Sequence, residues 1–152
     1  MVQLMIGGAG LAALLLIAQP AHAQADTIVV SGSPSSMTIN TATPGVGLAS
    51  NTVATTTYSI MTATQVPLKI KARISSGGEM PANTSLTLTI EAPGGGGTSA
   101  GAKALTTSDQ DFVTGITAQN SSGRTITYVL SATVAGAPFS STSRTITFTI
   151  GP

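Results

Sequence analysis

The chain has 152 residues, a formal net charge of +1 and only six Lys+Arg against five Asp+Glu, with no cysteine and no tryptophan. Its one histidine, His22, lies in an N-terminal apolar segment, so a chain cut after Ala23 has none. This composition speaks against zinc centres, histidine-based nucleophilic catalysis and disulfide scaffolding, and against nucleic-acid binding, which needs clustered cations with stacking rings.

Leu4 to Ala18 is uncharged and almost wholly apolar, Gln19-Pro20 breaks the run, and Ala21-His22-Ala23 has the small-x-small pattern of signal-peptidase cleavage. The run is about 15 residues, short of the roughly 20 that span a bilayer as a helix. Residues 1–23 therefore read as a cleaved signal peptide, with Ala23-Gln24-Ala25 as a second cleavage frame and an uncleaved anchor as the alternative. No Lys or Arg precedes Lys69, so either the chain starts elsewhere or the α-amino group is the only positive charge ahead of the apolar run. Residues 24–152 are expected to be exported, to the periplasm, the cell surface or the medium. They hold no other apolar run long enough to cross a membrane. Their aromatics, Tyr58, Phe112, Tyr128, Phe139 and Phe148, are too few for the girdles of a membrane barrel.

After Asp26 apolar residues recur with period two, and no segment carries helical periodicity. Thr27 to Ser31 predicts a short strand with Ile28 and Val30 on one side. Weaker strands fit Met37 to Thr43 and Val53 to Thr62. Val66 to Ser75 is the clearest: Val66, Leu68, Ile70, Ala72 and Ile74 point one way, and Lys69, Lys71 and Arg73 the other. Ser85 to Ala92 follows with Leu86, Leu88, Ile90 and Ala92 inward, and the Gly/Pro-punctuated loop between the two predicts a hairpin. If Ile74 faces Leu86 in that hairpin, Lys69 falls opposite Glu91.

Ala92 to Ala102 (APGGGGTSAGA) predicts a flexible surface loop, since consecutive glycines hold one conformation only at an entropic cost. No Gly-Lys-Ser/Thr follows, so it is not a phosphate loop. A further weak strand fits Phe112 to Gln119. Thr125 to Val134 and Arg144 to Ile150 form the last predicted pair, around a turn at Ala135-Gly136-Ala137-Pro138. Ile126, Tyr128, Leu130, Ala132 and Val134 of the first, and Ile146, Phe148 and Ile150 of the second, face the core. Seven to eight strands predict an all-β chain: a single Ig-like antiparallel β-sandwich over 24–152, with its short N-terminal strand at 27–31.

The candidate chemistry is sparse. Ser99 and Lys103 sit in or beside the glycine-rich loop, where nothing fixes a dyad. Asp26, Glu79, Glu91, Asp109 and Asp111 offer no evident carboxylate pair. No catalytic residue, cofactor site or metal site is assigned. Asp109 and Asp111 are the densest acidic spot, where calcium would find some of its six to eight oxygens, against the plainer reading of a polar turn. Lys69, Lys71 and Arg73 form a basic row that suits an anionic polysaccharide or equally protects an edge strand. Thr87/Thr89, Thr125/Thr127 and Thr145/Thr147/Thr149 resemble ice-binding threonine ladders but lack a fixed repeat, and outward Thr is ordinary on strands. Asn83-Thr84-Ser85 and Asn120-Ser121-Ser122 fit the glycosylation sequon.

A signal peptide, then Asp26-Thr27-Ile28-Val29-Val30-Ser31-Gly32-Ser33-Pro34, then a cysteine-free sandwich closing on Ser141-Thr142-Ser143-Arg144-Thr145-Ile146-Thr147-Phe148-Thr149-Ile150, resembles cysteine-free bacterial fimbrial subunits and small surface Ig-like proteins. The resemblance lies in layout and covers the whole mature chain. It implies that Ile28 and Val30 insert into a neighbouring subunit by β-strand addition. The expected function is thus a secreted or cell-surface, non-enzymatic structural subunit, fimbria-like or matrix-like. The alternative is a monomeric surface adhesion or glycan-binding module. Expected partners are further copies, other surface proteins or polysaccharide, without nucleic acid.

Overall fold

The computed structural model describes residues 25–34, 36–40, 49–133 and 142–152. The signal peptide assigned to 1–23, residues 41–43 of the strand predicted from Met37, Val134 and the turn at 135–138 lie outside them. The described residues form strands and no helix: β1 (Thr27–Ser31), β2 (Ala49–Thr62), β3 (Leu68–Ser76), β4 (Thr84–Ile90), β5 (Thr98–Ser99), β6 (Lys103–Ala104), β7 (Gln110–Ile116), β8 (Gln119–Ala132) and β9 (Thr145–Gly151). No helix among them is long and apolar enough to cross a membrane.

Two antiparallel sheets result. One has five strands in the order β1-β2-β8-β4-β6, the other four in the order β5-β7-β3-β9. Alternation explains the packing. Leu68, Ile70, Ala72 and Ile74 of β3 are buried, as are Leu86, Leu88 and Ile90 of β4, so each strand turns one row of apolar side chains into the core. β2 adds Tyr58 and Ile60, β8 adds Ile126 and Tyr128, and β7 adds Phe112, Val113 and Ile116. Each fully buried aliphatic or aromatic side chain of this kind contributes about 1.5–3 kcal/mol, and that burial holds the two layers together in a chain without disulfides.

Strand partners differ from the sequence reading more than strand positions do. β3 and β4 are not a hairpin: β3 pairs with β7 and β9, whereas β4 pairs with β8 and β6 in the other sheet. β8 and β9 likewise belong to different sheets. Alternation tells which face is buried, not which strand lies alongside. Lys69 consequently faces Gly151 in register and pairs with Asp111, not with Glu91, which pairs with Arg124. β3 is interior to its sheet, so its basic row does not guard an edge.

Smaller differences follow from turn chemistry. Val66 precedes β3 and is exposed. Ala92 lies beyond β4 and, with Leu130 and Ala132, is only half-buried. Residues 36–40 are not a strand, although Met37 packs against the core. The strand predicted over Phe112 to Gln119 ends at Ile116, and β8 starts at Gln119, passing through the turn-like Asn120-Ser121-Ser122-Gly123 with Gly123 at φ 66°.

The glycine-rich loop is fastened, not loose. Gly94 N–H donates to Ser121 Oγ at 3.1 Å, Gly95 N–H to Gln119 Oε1 at 3.0 Å, and Gln119 Nε2 to the Gly96 carbonyl at 3.0 Å.

One flank of the sandwich is laced shut. Residues 98–106 pair first with β7 and then with β4. Leu105 N–H donates to the Leu86 carbonyl, and the Thr106 carbonyl accepts from Ile74 N–H, both at 2.8 Å. The opposite flank carries β1 and β9, the outermost strands of their sheets.

Candidate functional site

Two features stand out on this otherwise plain scaffold: the β1 edge and a ladder of charges on the four-stranded sheet.

β1 lies antiparallel on β2, from Thr27 opposite Met61 to Ser31 opposite Thr57, without a bulge. Ile28 and Val30 face Ile60 and Tyr58 and pack, half-buried, against the core of their own chain. Val29, between them, points outward and is 59% exposed, and Met61 lies diagonally across on β2 at 41%. At the start of β1 Asp26 Oδ1 accepts from Ala63 N–H at 3.1 Å. At its end Gly32 adopts φ 79°, and a Cβ there would sit 3.1 Å from the Thr55 carbonyl oxygen, so the turn requires glycine. No second strand pairs with β1 among the described residues. Its outward N–H and C=O groups therefore have no strand partner among the described residues, although β9 of the other sheet approaches β1 on this flank. β1 carries no Lys, Pro or bulge, the usual devices that blunt such an edge.

Lys69, Lys71 and Arg73 do project together from β3, but each has a partner. Lys69 Nζ lies 3.1 Å from Asp111, Arg73 Nε lies 3.5 Å from Asp109, and Lys71 Nζ donates to the Pro152 carbonyl oxygen at 2.8 Å. The basic row and the acidic pair thus form one compensated ladder across β3 and β7. Some forty positions separate these strands in the chain, so nothing local in the sequence links the two clusters. Lys103 joins the ladder, donating to the Asp111 carbonyl at 2.8 Å with its ammonium 6.0 Å from the Phe112 ring. Lys103, Ala104, Asp109, Gln110 and Asp111 line a shallow groove. No group of three or more His, Cys, Asp or Glu suited to a metal exists among the described residues.

The other acids are structural in their contacts. Glu91 accepts from Thr125 N–H at 2.9 Å and pairs with Arg124 at 2.9 Å; the Thr125 bond first, then Arg124, holds its carboxyl below the usual range. Glu79 accepts from the hydroxyl and the N–H of Thr107, which lowers its pKa too. Ser99 donates to the Ile90 carbonyl at 2.6 Å and Lys103 is engaged elsewhere, so no dyad forms.

The threonine rows are split. Thr87, Thr89, Thr125 and Thr127 belong to the five-stranded sheet and Thr145, Thr147 and Thr149 to the other, so they share no plane. Asn83 sits in a turn at φ 61°, and Asn120 is exposed on β8.

Compared with known proteins, the chain matches no family model, and no curated protein or solved structure shows significant similarity to it.

Proposed function

We propose that this protein is an exported, non-enzymatic structural subunit, an Ig-like β-sandwich that associates with further copies by β-strand addition at β1. The observation that carries the reading is the β1 edge: an uncharged, unbulged ladder with an outward valine, on the flank that residues 98–106 do not lace. Main-chain hydrogen bonds supply attraction in such contacts, and alternate side chains supply selectivity. A net charge of +1 opposes close approach of copies only weakly. The scarcity of titratable groups, with the carboxylates tied to cations or backbone, supports a structural role over a catalytic one.

Sedimentation of the 24–152 chain tests this. Concentration-dependent oligomers are expected, and a chain lacking 24–33 should be monomeric. A full mature chain that stays monomeric at every accessible concentration overturns the proposal. Intact mass of exported protein should begin at Gln24, or at Asp26 if the second cleavage frame is used.

The groove beside Lys103 and Asp111 favours a second reading, a monomeric surface module that binds polysaccharide through the charged ladder. Retention of the 24–152 chain on an anionic polysaccharide column, lost in Lys69→Ala/Arg73→Ala, would favour that reading.

A further inference from the structure

We infer that β1 pairs with β1 of a second copy, antiparallel and centred on Val29, so that two five-stranded sheets join into one continuous sheet across a two-fold axis. The inference rests on the assembly reading above and specifies its partner and register.

The strand itself carries the argument. Thr27-Ile28-Val29-Val30-Ser31 is a chemical palindrome: reversed, it places hydroxyl against hydroxyl, β-branched against β-branched, and valine against itself. A two-fold contact demands that self-complementarity, because whatever residue i meets in the partner must meet i in return. Centring on Val29 sets Thr27 against Ser31, Ile28 against Val30 and Val29 against Val29. Aliphatic and Thr–Ser cross-strand pairs of this kind are favourable ones.

Side-chain direction and backbone direction both select this register. Residues directly opposite in an antiparallel pair point to the same face, so outward Val29 must meet an outward residue and core-facing Ile28 a core-facing one. Only a centre lying on a residue satisfies that, and Val29 is the one centre that uses all five. Along β1, alternate residues turn their N–H and C=O groups toward β2 and away from it. Whichever set points away, Ile28 and Val30 or Thr27, Val29 and Ser31, the Val29 centre pairs that set with itself and leaves no group mismatched.

Charge agrees. The acid nearest the strand, Asp26, comes opposite Gly32 of the partner and is already tied to Ala63 of its own chain. The two Asp26 carboxylates stand six residues apart along the ladder, about 20 Å at a strand rise of roughly 3.3 Å. A register shifted toward the N-terminus would bring them together.

Single-cysteine variants of the cysteine-free 24–152 chain read out the register. Directly opposed strand residues lie about 4.5–5.5 Å apart at Cα, within the roughly 4.4–6.8 Å that a disulfide bridges. Under mild oxidation Val29→Cys is expected to form a covalent dimer with itself. Thr27→Cys and Ser31→Cys should each stay uncrosslinked alone and crosslink when mixed. Val29→Lys, at an exposed position, should keep the wild-type melting temperature and weaken self-association by about tenfold or more, as outward lysines do on sheet edges. If the wild-type chain associates but Val29→Cys does not crosslink with itself, this register is wrong while assembly stands. Exchange of β1 between chains would instead link Val29→Cys chains to Ser59→Cys chains, and that result also overturns the two-fold pairing. A wild-type chain that is monomeric throughout, with no crosslinking, overturns both readings.

Discussion

Tyr58 donates its hydroxyl hydrogen to the carbonyl oxygen of Glu91 at 2.5 Å, joining β2 to the end of β4 across the intervening β8. Tyr58 is 1% exposed, and Arg124 of β8, in register with it, donates to the Ala92 carbonyl at 2.9 Å and pairs with Glu91. One corner of the five-stranded sheet is thus fixed by side chains as well as by its ladder. Tyr58→Phe keeps the ring but leaves the Glu91 carbonyl without that donor. It should cost about 1–2 kcal/mol by urea unfolding. Tyr58→Ala, which also opens a cavity, should cost about 3–5 kcal/mol.

The pH dependence of stability follows from the same groups. Burial pushes the Tyr58 hydroxyl from an ordinary 10.0 up to about 12, and burial raises Tyr128 as well. Both are protonated in the folded state. The Tyr58 contribution is therefore complete below 10.0 and is lost as pH climbs toward 12, and that of Tyr128 is lost on the same alkaline side. Glu91, lowered by its Thr125 hydrogen bond, and Glu79, lowered by Thr107, act in the opposite sense: their contribution is present above 4.5 and lost as pH falls below it. Thermal melts should be flat between these limits and decline outside them, and Tyr58→Phe should shrink the alkaline decline.

How much of this architecture is legible in the sequence depends on range. Leu68, Ile70, Ala72 and Ile74 declare their inward face by alternation alone, because that period is a local property of the pleat. Which strand lies beside them is not local. β3 takes partners from residues 110–116 and 145–151, and no turn chemistry near Ser76 encodes either choice. The ladder was half visible for the same reason: Lys69, Lys71 and Arg73 are two apart, but Asp109 and Asp111 reach them only through the sheet. Gly123 and its polar neighbours resemble a turn yet continue β8, forming an irregularity in its ladder with β2 where the register shifts between Tyr58 and Ile60, so pairing on either side of them outweighs local preference.

Two adjacent glycines separate backbone strain from steric exclusion. Gly77 and Gly78 have φ of 94° and 73°, but a Cβ on Gly77 would lie 2.4 Å from the Ser143 carbonyl oxygen, whereas one on Gly78 meets nothing within 4 Å. Gly78→Ala should cost about 1–2 kcal/mol from the left-handed conformation alone. Gly77→Ala must also displace the 142–144 segment, and its melting temperature should fall clearly further.

The charged ladder should be energetically quiet. The side chains of its two ion pairs are between 37% and 52% exposed, so Lys69→Ala and Arg73→Ala should each change unfolding free energy by less than about 1 kcal/mol. Melting temperature should likewise be unmoved by EDTA or zinc. A rise of several degrees with calcium would instead assign Asp109 and Asp111 to a cation, since binding to the native state stabilises it by mass action.

The pairing of β2 with β8 and of β3 with β9 has a consequence for how the molecule is made. Ala49 waits for Ala132, and Lys69 waits for Gly151, so neither layer closes until the strands some eighty residues further along the chain have been made. A truncated or still-emerging chain holds rows of Ile and Leu with nothing to cover them. Such distant pairings leave long loops to close, which places the expected folding time in the millisecond-to-second range of topologies dominated by distant contacts. Through that interval the nascent chain is most vulnerable to aggregation and proteolysis.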